Sequence, residues 1–284
     1  TEQLIEEIST ITGSTAIITW KKNQSVTHFL LTNTETSAVT NIPISSEMNA
    51  EGSYQLTDLA ASTTYTIGIY NTVNGEDILR GEKSFQTTEN FPDGYTPVYL
   101  TAADDPNEVL AAQSGKIVFV IPHSTAIDFN EKVTIPSSIT SIIFWGASGG
   151  EEQATMKIKT ITAEGTKDMI RFYNLHIDPQ GDYMFNLQDV DADINTVLVE
   201  NCVVEKSKGV IRAKNGSVVR IGKAAINNCI INGSSAALFA FKESAVAQVP
   251  VIELTNSTVM NITQQYFYLI NQSQIKVSDC TLYG

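Results

Sequence analysis

No stretch of this chain approaches the roughly 20 consecutive apolar residues that a membrane helix requires; apolar stretches such as those within 141–145 and 246–251 are far shorter. Cysteine is scarce. The three residues Cys202, Cys229 and Cys280 are odd in number and lack C-x-x-C spacing, which argues against both a disulfide framework and a zinc cluster. Basic residues are few as well: 18 Lys and Arg against 31 Asp and Glu leave a net charge of -13, which excludes a surface that must neutralise many phosphates, and with it a nucleic-acid partner. Three histidines, His28, His123 and His176, form no triad and no metal spacing. No charged-then-apolar leader opens the chain at Thr1-Glu2-Gln3, so either export is absent or a leader that could also serve envelope attachment has been removed.

What the chain does have is strand-forming sequence throughout. Its 284 residues exceed one average domain, and a hydrophobic fraction of 42% is enough to bury real cores. From Ile8 to Thr87 short alternating segments are broken by turn clusters, among them Ala16-Ile17-Ile18-Thr19-Trp20 and His28-Phe29-Leu30-Leu31. This spacing suits a β-sandwich. The run 56–67, Leu-Thr-Asp-Leu-Ala-Ala-Ser-Thr-Thr-Tyr-Thr-Ile, resembles the fibronectin type III approach to its corner tyrosine; the resemblance makes Tyr65 that tyrosine, Trp20 the core tryptophan and 81–87 the last strand. The expected boundaries are a sandwich over 1–89, a Pro- and Gly-marked linker over 90–97 and a second domain over 98–284.

The second domain shows a repeat. Asn174, Asn201, Asn228, Asn256 and Asp279 follow similar apolar segments at steps of 27, 27, 28 and 23 residues, and Phe144-Trp145-Gly146 lies 28 residues before Phe172-Tyr173-Asn174. Dense β-branched residues, Asn and Gly leave no room for an amphipathic helix, so each period reads as one coil of strands and turns. Such a coil buries its apolar face only by stacking on its neighbours at about 4.8 Å per rung, which is a parallel β-helix. The Asn column forms a hydrogen-bonded ladder at a tight turn, and Cys202, Cys229 and Cys280 form a second column of small buried fillers. The pattern resembles the right-handed β-helices of the pectate lyase-like superfamily. With the sandwich in front, the chain resembles surface proteins of gut bacterial polysaccharide-utilisation systems, which implies an extracellular or cell-surface location and a polysaccharide partner, but no family catalytic motif is present.

Aligned on the ladder, each coil yields another strand: 183–187, 210–214, 237–241 and 266–270. Arg212 and Lys214 do not fit inside a narrow coil, so Ile211 and Ala213 face inward, and by register Met184, Leu238 and Phe267 with them. The outward column then reads Phe185, Arg212, Phe239 and Tyr268, with Leu187, Lys214 and Phe241 beside it. Exposed rings stack on pyranose C–H groups while Arg and Lys pair with uronate or sulfate, so the expectation is a non-catalytic glycan-binding platform of Phe185, Arg212, Lys214, Phe239, Phe241 and Tyr268. Two alternatives stand beside it. A polysaccharide lyase would use Arg212 or Lys214 as the base that removes the proton α to a uronate carboxylate; a structural or adhesive protein would bury the strip under another chain. No cofactor is expected. A calcium ion at Asp189, Asp191 and Asp193 is the rival of a simple solvated acidic turn.

Overall fold

The computed structural model describes residues 2–149, 152–214, 218–241 and 247–283. The chain divides into two compact units, Thr1–Asn90 and Phe91–Gly284.

The first unit is a fibronectin type III-like sandwich. Ile5–Ser9, Ala16–Trp20 and Ser53–Leu56 form one antiparallel sheet; Val39–Pro43, His28–Asn33, Thr64–Val73 and Glu76–Gln86 form the other. Alternation along Ala16–Trp20 sends Ala16, Ile18 and Trp20 inward, where Trp20 meets Phe29 edge-on at 5.1 Å. The Tyr65 hydroxyl accepts from the Ala60 amide at 2.9 Å, the tether of a tyrosine corner.

The second unit is a right-handed parallel β-helix, the hand that parallel crossovers adopt. Three sheets run along it. The first contains Gly115–Ile121, Ile139–Gly146, Gly165–Tyr173, Ala192–Glu200, Val219–Asn227, Val251–Thr255 and Gln274–Ser278 in successive coils. A turn of one or two residues leads to the second sheet, with Leu175–Asp178, Val203–Ser207 and Ile230–Ser234 among its strands, and a corner leads to the third, with Ile161–Ala163, Tyr183–Gln188, Gly209–Lys214, Phe239–Phe241 and Phe267–Leu269. Within the described residues no helix is long and apolar enough to cross a membrane.

The turn between the first two sheets is where the ladder stands. Asn174, Asn201, Asn228, Asn256 and Asp279 all have φ between 50° and 56°, the left-handed region that Asn and Asp tolerate better than most residues. Asn228 Nδ2 donates to Asn201 Oδ1 at 2.7 Å, and Asn174 Nδ2 donates to the Gly146 carbonyl at 2.9 Å. Cys202 and Cys229 follow inside the coil, their thiols donating to the carbonyls of Glu200 and Asn227. Burial, and then the neighbouring Cys229, push the Cys202 thiol well above its ordinary pKa, so it is an unreactive filler. Cys280 is only partly buried.

The stretch 90–97 is not a free linker. Thr96–Tyr99 pairs in parallel with Gly115–Ile121, Phe91 meets Trp145 edge-on at 5.2 Å, and the Tyr95 hydroxyl bonds Ser141 Oγ at 2.7 Å. The cause is the outer face of the first sheet, which carries Val118, Val120, Ile143 and Trp145 and needs a cover.

A charge lies inside the coil. Lys167 has no exposed surface, and its Nζ donates to the carbonyls of Pro136 at 3.0 Å and Glu164 at 2.7 Å. Burial lowers its pKa from the ordinary lysine value, with Glu164 opposing the shift. The unfolded chain therefore holds this proton more tightly than the folded one, and the contribution to stability rises with pH from the lowered folded value up to the ordinary lysine range. Urea midpoints of the natural protein and Lys167→Met, compared between pH 7 and pH 10, are expected to diverge in favour of the natural protein as pH rises; parallel curves would show that the ammonium is not desolvated.

Candidate site on the third sheet

The third sheet positions a recess of about 400 Å³ on its outer face, lined by Val190 and by the polar side chains Lys132, Thr160, Asp182, Asn186, Gln188, Asp189 and Arg212. Its base is the strand Tyr183–Gln188, where Phe185 and Leu187 point into the core and the alternate Asn186 and Gln188 point out. Asn186 pairs with Arg212 and Gln188 with Lys214 in the next coil. Arg212 is held on three sides. Its Nε donates to Asn186 Oδ1 at 2.8 Å, its Nη2 donates to Gln188 Oε1 at 2.9 Å, and its guanidinium lies 4.1 Å from the centroid of the buried Tyr183 ring. A guanidinium fixed in this way is pre-organised for an anion while keeping further N–H groups to donate. Thr160 is 6% exposed, and its hydroxyl has no partner among the described residues. A buried hydroxyl left in that state favours a ligand that completes its hydrogen bond.

This register corrects the aromatic column expected from the sequence. Phe185, Phe239 and Phe241 are buried, Leu187 has no exposed surface, and the column outside is Asn186, Arg212, Ala240 and Tyr268. Phe185, Ile211, Phe239 and Phe267 stack inside, the last two rings 5.5 Å apart and nearly parallel. Rings in the core cannot stack on a sugar, so Phe185, Phe239 and Phe241 are not platform residues. The reason is one missing residue. From the ladder to the outward position the chain takes twelve residues at 174–186, 228–240 and 256–268 but eleven at 201–212. The shortening falls at the corner by Gly209, where a Cβ would sit 2.3 Å from the Ala237 carbonyl and 2.5 Å from the Tyr183 ring. Inward Ile211, Ala213, Met184 and Leu238 do lie in the core, Phe267 packs against it, and Tyr268 is 43% exposed.

The other charged residues of this unit are spread over different places. Arg220 pairs with Asp193 at 2.7 Å and Lys223 with Glu253 at 2.6 Å, both on the first sheet, away from Arg212. Asp191 accepts from the Val218 amide at 3.0 Å and Asp189 lines the recess, so the three carboxylates do not converge; among the described residues no three metal-ligating side chains do. His176 pairs with Glu205 at 3.2 Å. Asn186, Gln188, Tyr183, Thr160 and Lys132 had no place in the expected site, although the polar residues alternating at 186 and 188 within an apolar strand already marked its outward face.

No protein-family model and no curated protein matches this chain. Among solved structures, a fibronectin type III domain of human collagen XX is similar at 14% identity over 30% of this chain and 88% of its own, with a TM-score of 0.24. A family 28 exopolygalacturonase of Yersinia enterocolitica is similar at 9% identity over 100% of this chain and 99% of its own, with a TM-score of 0.25, and the pectate lyase PelI of Erwinia chrysanthemi at 11% over 93% and 78%, with a TM-score of 0.22.

Proposed function

We propose that this is a secreted or surface-attached protein that binds an acidic polysaccharide in the recess around Arg212, without catalysis, with the sandwich as spacer or docking unit. The observation that carries the reading is the fixed guanidinium: Arg212 is locked by Asn186, Gln188 and Tyr183 on an open sheet face beside the unpartnered Thr160 hydroxyl. The same bonds speak against the lyase reading for this residue, because an arginine donating through Nε and Nη2 to two amide oxygens is stabilised as a cation and poorly placed to accept a proton.

The test is a titration of the purified chain against a panel of acidic and neutral polysaccharides by calorimetry. Binding is expected for acidic chains. Arg212→Ala should weaken it by about tenfold or more, the range of a charge-assisted hydrogen bond, while Lys276→Ala on the last strand of the first sheet leaves it unchanged. Absence of binding to every polymer, or full binding by Arg212→Ala, would defeat the reading. Accumulation of unsaturated uronate ends, followed by ultraviolet absorbance, would establish the lyase instead.

A further inference from the structure

We infer that the sugar chain seated in this recess carries protonated amines beside its anionic group, an inference that rests on the glycan-binding reading just proposed. The recess holds charges of both signs: Lys132 and Arg212 are the cations, Asp182 and Asp189 the carboxylates. Among the described residues no ion pair joins any two of these four. Their order is set by the strand. Asp182 immediately precedes Tyr183–Gln188 and Asp189 immediately follows it, while Arg212 is bound over Asn186 and Gln188 between them. The base of the recess thus places a carboxylate on either side of the Arg212 guanidinium along a strand of about 17–20 Å. Lys208 adds a cation near the first end, its Nζ 5.8 Å from the Tyr183 ring, and Lys214 extends beside Gln188.

A homopolymer with a carboxylate on every unit would place one on Arg212 and bring others against Asp182 and Asp189, where like charges oppose binding. A chain in which amino sugars flank the anionic unit reverses the sign of both outer contacts and keeps the central one. Asp182 spends one oxygen on its neighbour's backbone, Oδ1 accepting from the Tyr183 amide at 2.7 Å, and its other oxygen is left to receive a ligand donor. The Thr160 hydroxyl adds a neutral contact on the side of the preceding coil.

The experiment uses the full chain, a glucuronate–N-acetylglucosamine oligosaccharide and the same oligosaccharide after chemical de-N-acetylation, titrated at pH 6 and low salt, where the amines are charged. The de-N-acetylated form is expected to bind about tenfold tighter or better. In the double variant Asp182→Asn, Asp189→Asn that margin should vanish while affinity for the acetylated form holds or rises. Asparagine at 182 keeps the acceptor for the Tyr183 amide, and at 189 it tolerates the left-handed φ of 56°, so folding is preserved. Equal or weaker binding of the de-N-acetylated form, or a margin that survives the double variant, overturns the inference. Binding of acidic chains without an amine advantage removes this inference alone, whereas failure of every acidic chain to bind removes the reading beneath it.

Discussion

Replacing Phe239 with alanine is expected to destabilise the β-helix by about 3–5 kcal/mol, the range for removing a fully buried phenylalanine from a packed core. The ring has no exposed surface, lies parallel to Phe267 at 5.5 Å, and continues the inner column of Phe185 and Ile211. Parallel stacking limits relaxation. The coils above and below are tied by backbone bonds such as Phe239 N–H to the Tyr266 carbonyl at 3.0 Å and Ile211 N–H to the Leu238 carbonyl at 2.9 Å, so they cannot collapse into the space left behind. Calorimetric melting measures the effect, since the two units can give separate transitions. A shift confined to the β-helix transition is the expected result. An unshifted melt with reduced glycan affinity would return Phe239 to the surface and displace the register described above.

The contrast between what was legible and what was not turns on the same strand. The ladder at 174, 201, 228, 256 and 279 was readable because a left-handed turn in each of these five coils demands a residue that tolerates positive φ, and Asn or Asp supplies it each time. The sandwich was readable because Trp20 and Tyr65 occupy positions fixed by core packing and by one backbone hydrogen bond. The outward face was not readable from the ladder alone. A period measured at one corner fixes side-chain direction only up to the next corner, and a single residue lost by Gly209 inverts the inside and outside of every strand compared across it. Arg212 kept its outward assignment because charge placed it there, independently of the count. Phe185 and Phe239 had no such anchor, and aromatic character is equally at home in a core or on a sugar platform.

Gly146→Ala is expected to destabilise the β-helix as well, by the opposite physical route. A Cβ at Gly146 would stand 2.0 Å from the Asn174 carbonyl oxygen, 2.9 Å from its carbon and 3.1 Å from Leu175 Cδ2. None of these can step aside easily. Asn174 is held in its left-handed turn, its amide donates to the Glu200 carbonyl at 3.1 Å, and its side chain donates to the Gly146 carbonyl itself at 2.9 Å. The coil of Gly146 and the coil of Asn174 must therefore part, which breaks the Asn174–Gly146 bond and lifts Trp145 from Tyr173, whose ring centroids are 4.3 Å apart. Overpacking that shifts side chains and backbone costs about 1–3 kcal/mol and occasionally more, and the loss should appear as faster amide exchange at 174 and 175 as well as a lower melting temperature of the β-helix. Because the recess around Arg212 lies on another sheet, glycan affinity measured well below that melting temperature should be retained, which separates damage to the scaffold from damage to the site.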